Sequence, residues 1–114
     1  MKYKVLNLKK DSPTVELALG LLEIEIELCR REGIIALKII HGYGSHGRGG
    51  VIKKALVPIL ASWKKSKFIL DYFGGDKWNL FDQDARRILL KDKSIYNDCD
   101  ISSSNPGITI IEIN

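Results

Sequence analysis

Apolar and polar residues alternate along "YKVLNL" at residues 3–8, the two-residue period of a strand with one buried face. The period changes in "SPTVELALGLLEIEIELCRREG", residues 12–33. Ser12 stands where an N-cap is expected, Pro13 suits a first helical turn, and Gly33 suits the position just past a last one. "LEIEIEL" keeps a strand-like period of two, but helical spacing accounts for more positions. Glu16, Gly20, Glu23, Glu27 and Arg31 share one face, while Leu17, Leu21, Ile24 and Leu28 share another. We read a helix over 13–32, with Glu27 paired with Arg31 one turn on.

"IIALKIIH", 34–41, is a short apolar run that suits a strand buried on both faces. A glycine-rich loop at 42–49 leads into a helix from Gly50 to Lys65, where Pro58 should kink the helix or end a first segment. "KFILDYFG", 67–74, reads as a third strand. The spacing of Leu80, Phe81, Ala85, Ile88 and Leu89 predicts a third helix over 78–92. A polar, turn-rich connection follows, and "ITIIEI", 108–113, closes the pattern as a fourth strand. The order β-α-β-α-β-α-β predicts a single α/β domain over 1–114 with a mixed, largely parallel sheet.

Composition narrows the classes. A 114-residue chain that is 45% hydrophobic and 28% charged can bury one core without disulfides. It has no apolar run long enough to span a membrane, and "MKYKVLNLKK" lacks the apolar core of a signal peptide, so a cytoplasmic location is expected. Cys29 and Cys99 are too far apart for a CxxC motif, and Cys29 lies on an apolar helix face, as a buried thiol would.

The formal charge of +4 changes the picture once it is located. Residues 33–70 carry Lys38, Arg48, Lys53, Lys54, Lys64, Lys65 and Lys67 and no acidic residue, while the acidic excess falls in 71–114. A local positive potential around the glycine loop would attract polyanions. The acidic stretch is in turn a candidate docking surface for a protein partner.

The loop itself, "HGYGSHGRGG", admits several chemistries. Gly42, Gly44 and Gly47 spell G-x-G-x-x-G after a strand, and Asp71 ends the next strand in a dinucleotide-type arrangement. A phosphate-binding Walker loop fails, because Arg48 and Gly49 stand where its lysine and hydroxyl belong. His41 and His46 lack a third ligand at a familiar metal spacing, so neither metal nor cofactor is expected. Glycines can turn backbone amides toward a phosphate, a helix N-terminus lies behind them, and Arg48, Lys53 and Lys54 add charge.

"IIHGYGSHGRGGVIKKAL" resembles the central motif of the Smr (small MutS-related) domain family, a strand ending in HGxGxG before a helix. "NPGITIIEI" resembles that family's closing strand, and "KVLNLKKDSPTVELALGLL" its first strand and helix. The resemblance implies a fold similar to the C-terminal domain of translation initiation factor three, with 74–104 as an insertion carrying an extra helix. It also implies binding of DNA or RNA and, in some members, endonuclease nicking. His41, Gly42 and Gly44 match the central motif directly. The family's first strand usually reads LDLHG; here Asn7 replaces its acid and Lys9 its histidine.

The leading expectation is a domain that contacts nucleic-acid backbone through Lys9, Gly42, Gly44, His46, Arg48, Lys53 and Lys54. The alternatives are an endonuclease with His41 as general acid or base, a dinucleotide-binding module and a protein-interaction module.

Overall fold

Three strands, β1 (Tyr3–Asn7), β2 (Ala36–Ile40) and β3 (Asp71–Gly74), run the same way, and β4 (Ile108–Glu112) runs against them. The sheet order is β1-β2-β4-β3. The sheet is mixed, but it is not largely parallel: β4 enters between β2 and β3, so only the β1–β2 pairing is parallel. All five β4 residues are buried, as suits an isoleucine-rich strand in the middle of a covered sheet. The computed structural model describes residues 2–11, 14–42 and 49–114. No helix among them is long and apolar enough to cross a membrane.

Helices α2 (Val15–Glu32) and α3 (Gly49–Lys65) cover one face of the sheet, over Leu37, Ile39, Ile111 and Ile113. The stretch from 75 to 101 covers the other. There Trp78, Ile95 and helix α4 (Gln83–Lys91), through Ala85, Ile88 and Leu89, pack on Ala36, Phe73, Ile108 and Ile110. A short helix, α1 (Leu8–Asp11), follows β1 directly. Asn7 caps it, its Oδ1 accepting from the Lys10 amide at 3.1 Å.

Several boundaries differ from the sequence reading. The expected cap Ser12 and Pro13 lie outside the described residues, and α2 is capped by Thr14, whose hydroxyl accepts from the Leu17 amide at 3.1 Å. Gly33 ends α2 as expected, in a left-handed conformation with φ 72°. Helix α3 is assigned without a break through Pro58, which sits on the exposed side where the carbonyl it leaves unpaired can meet water. β3 begins only at Asp71, after a turn in which Lys67 adopts φ 66°. Helix α4 starts at Gln83 and not at 78. Asn79 Oδ1 takes the Phe81 and Asp82 amides, and the Asp82 carboxylate then caps the helix at Asp84 and Ala85. Phe81 is thereby left 93% exposed, outside the helix and the core.

The structure decides the rotation of α2, which the spacing leaves open, and buries Cys29 as expected. Its buried residues are Ala18, Leu22, Ile26 and Cys29, whereas Leu17, Leu21, Ile24 and Leu28 face outward. The period-two segment "LEIEIEL" puts apolar residues on two sides, so spacing alone does not select one. Packing selects the side with small Ala18 and Cys29, which let the helix approach the sheet. Lys4 of β1 holds that rotation, reaching Glu32 at 2.8 Å and Glu25 at 3.6 Å.

Candidate nucleic-acid interface

β2 ends at Ile40 and the next two residues turn over the end of the sheet. His41 and Gly42 both donate their amides to the Gly107 carbonyl, at 2.9 and 3.0 Å. Gly42 has φ 72°, a left-handed conformation that favours glycine. The His41 ring is fully buried. Its Nδ1 lies 2.6 Å from the Gly42 carbonyl and its Nε2 lies 2.8 Å from Thr109 Oγ1. A carbonyl only accepts, so Nδ1 carries the proton and Nε2 accepts from the threonine hydroxyl. Burial pulls the ring's pKa below its ordinary value; the hydrogen bond to Gly42 opposes this and the Lys53 charge adds to it. His41 is therefore a neutral imidazole with both nitrogens engaged.

Gly107 is held in turn. Its amide donates to Asn105 Oδ1 at 2.8 Å, and Asn105 Nδ2 donates to Asp100 at 3.0 Å. Asp100 accepts from Lys38 Nζ at 2.7 Å, and Asp98 accepts from the same amine at 2.8 Å. Trp78 Nε1 donates to the other Asp98 oxygen at 3.0 Å. A buried lysine in the middle of β2 is thus linked through two aspartates and an asparagine to the turn that holds His41. Burial opposes the charge on Lys38, but its bonds to Asp100 and Asp98 outweigh that and raise its pKa; Lys38 in turn holds the Asp100 carboxyl below its usual value. The sequence places Lys38 in the basic stretch 33–70. It is 3% exposed and carries no free charge to solvent.

The remaining expected site residues divide. Lys9, exposed in α1, follows β1 at the same end of the sheet as His41, because Asn7 stands opposite Ile40. Lys53, exposed in the first turns of α3, reaches the same cluster and donates to the Pro106 carbonyl at 3.0 Å. Lys54 is exposed too, but lies about 100° further around the helix and so points away from the cluster. Gly44, His46 and Arg48 lie outside the described residues. A cleft of about 160 Å³ between α3 and β3, lined by Leu56, Val57, Leu60, Tyr72 and Phe73, opens beside Lys53 and Thr109.

Asp71 does not occupy a cofactor position. It begins β3, level with Ala36 and Glu112 at the opposite end of the sheet from Gly42. Lys64 and Arg87 each hold it at 3.0 Å. The acidic stretch is likewise engaged internally: Arg87 binds Asp84 and Glu112, Lys91 binds Glu112, and Asp82 and Asp92 cap turns. It does not form the free acidic face expected for docking a partner. Thr109, Asn105, Gly107 and Lys38 did not figure among the sequence candidates. The "NPG" turn was the one available signal for two of them.

No protein-family model matches the chain. None of the curated proteins compared is significantly similar to it. Among solved structures, the crystal structure of the Smr domain of Thermus thermophilus MutS2 superposes with a TM-score of 0.57 over 100% of this chain and 99% of that one. The chain has the Smr-domain fold. At 17% identity the agreement lies in the arrangement of elements and not in their residues. The Smr resemblance first read from the His41–Gly42 motif thus has a structural counterpart. In this version of the fold the motif's histidine is buried in a hydrogen-bonded turn.

Proposed function

We propose that this Smr-fold domain binds DNA or RNA through the sugar-phosphate backbone at the C-terminal ends of β1 and β2. The observation that carries the reading is the convergence there of exposed Lys9 and Lys53 with the Gly42 turn at the mouth of the glycine loop. Open α/β sheets place ligands at this end of their strands. Arg48 and His46, by their positions in the sequence, extend the same basic set, and the Smr resemblance implies the same ligand class. Binding of this kind reads charge and shape more than base sequence.

The geometry favours binding over nicking. A general acid or base must reach its substrate, whereas His41 is buried and both its ring nitrogens are spent on Gly42 and Thr109. We assign His41 as a positioning residue for the turn. Asn7, capping α1, supplies no acid or base.

Fluorescence anisotropy of a labelled stem-loop RNA and its DNA counterpart across a salt series tests the reading. Log affinity should fall steeply with log salt. Absence of binding at low salt overturns it.

A further inference from the structure

Leu17, Leu21, Ile24 and Leu28 follow one another at intervals of four, three and four residues, the spacing of a coiled-coil seam. All four lie on the outer face of α2, between 41% and 60% exposed. A contiguous apolar stripe of this kind marks an interaction surface. Gly20 lies beside the stripe in mid-helix, where glycine weakens a helix. A Cβ at that position would meet nothing within 4 Å, so no contact among the described residues accounts for the glycine. It would, however, let a second helix approach closely.

Charge selects the occupant. α2 carries Glu16, Glu23, Glu25, Glu27 and Glu32 against Arg30 and Arg31, so an α2–α2 pairing would set carboxylates against carboxylates. α3 lies next to α2 on the same face of the sheet and has the opposite character: Lys53, Lys54, Lys64 and Lys65, with no acidic residue. Lys54, Pro58, Ala61 and Lys65 repeat at the same four-three-four interval on its exposed side, flanked by exposed Val51 and Val57. That surface is low, apolar along its middle and flanks, with Lys54 and Lys65 at its two ends. It complements the tall, acid-edged stripe of α2.

We propose that a second copy of this chain covers the stripe, in a two-fold dimer in which α2 of each copy packs on α3 of the other. Because α2 and α3 are neighbours, one two-fold axis satisfies both contacts and the assembly closes at two. The interface takes up Lys54 and leaves Lys9, Lys53 and the ends of β1 and β2 open, so it stands or falls independently of nucleic-acid binding.

Sedimentation velocity of the purified chain over a micromolar-to-millimolar series should show a monomer–dimer equilibrium. Leu21→Glu, at an exposed position that the fold does not need, should weaken it more than about a hundredfold by burying an unpaired carboxylate twice per dimer. Two charge-reversed chains decide which helices pair: Glu16→Lys with Glu23→Lys and Glu27→Lys in one, Lys54→Glu with Lys65→Glu in the other. Each alone should be monomeric, and an equimolar mixture should restore the dimer. A wild-type chain monomeric throughout overturns the proposal and leaves the stripe to a different protein. A dimer indifferent to Leu21→Glu also overturns it. Self-association of the lysine-reversed chain would show an α2–α2 contact and overturn the pairing.

Discussion

Thr109 donates its hydroxyl to His41 across 68 residues of sequence, and the bond of 2.8 Å fixes the buried imidazole in its neutral, Nδ1-protonated form. Two consequences are measurable. Thr109→Val leaves Nε2 buried without a donor and should cost about 1–3 kcal/mol in urea unfolding. It should also loosen the Gly42 turn, visible as faster amide exchange at His41 and Gly42.

The same ring gives the protein a pH dependence of known sign. Its folded pKa lies below its unfolded value, so the unfolded chain binds the proton more readily. The stability contributed by neutral His41 is complete above the unfolded value of about 6.5 and is lost as pH falls toward the folded one. His41→Gln should flatten that part of the stability profile. An unchanged acid limb in the variant would assign the dependence to other groups.

Lys38 should be the costliest single charge to remove. Its amine sits between Asp98 and Asp100, with all three side chains largely buried. Lys38→Met leaves two carboxylates without their cation and should destabilise the fold by about 3–5 kcal/mol. Because Asp100 also holds Asn105, the variant should weaken nucleic-acid binding as well, although Lys38 itself is out of reach of the ligand.

Tyr3 offers the opposite case. Its ring stacks on Trp78 with centroids 6.3 Å apart, but its hydroxyl is buried without a hydrogen-bond partner among the described residues. Burial, with the Asp98 carboxylate nearby, pushes its pKa well up. Tyr3→Phe keeps the stacking and removes an unsatisfied group, so thermal denaturation should show stability unchanged or raised.

For the proposed interface, Lys9→Ala and Lys53→Ala should each reduce the slope of log affinity against log salt by about 0.7–0.9. The two effects should add, because the residues stand on different elements. Asp76→Ala, on the exposed turn after β3, should leave the slope unchanged.

Much of the fold was legible because its signals are local. The period of two in "YKVLNL" predicts a strand over 3–8, which the structure ends one residue earlier, at Asn7, and Gly33 ends α2 where expected. The failures came where two local signals compete or where the answer is tertiary. In "LEIEIEL" apolar residues point both ways, and only packing against the sheet and the reach of Lys4 selected Leu22 and Ile26 over Leu21 and Ile24. Phe81 fitted a helical period, but the asparagine turn before it moved the helix start to Gln83. At the site, His41 and Gly42 could be found from their motif. Thr109 could not, because it joins His41 only after β4 pairs with β2.

That late pairing also orders the assembly of the molecule. Among the described residues β3 has no neighbour in the sheet except β4, so residues 71–74 join the other strands only through 108–112. β1, α2 and β2 are contiguous and can associate early; the edge strand must wait for the segment furthest along the chain. Pairings of such long sequence separation slow folding. A chain shortened before Gly107 would lose more than its last strand: β3 would have no edge to bind, the Gly107 carbonyl that anchors His41 and Gly42 would be missing, and one edge of β2 would stand open to other chains.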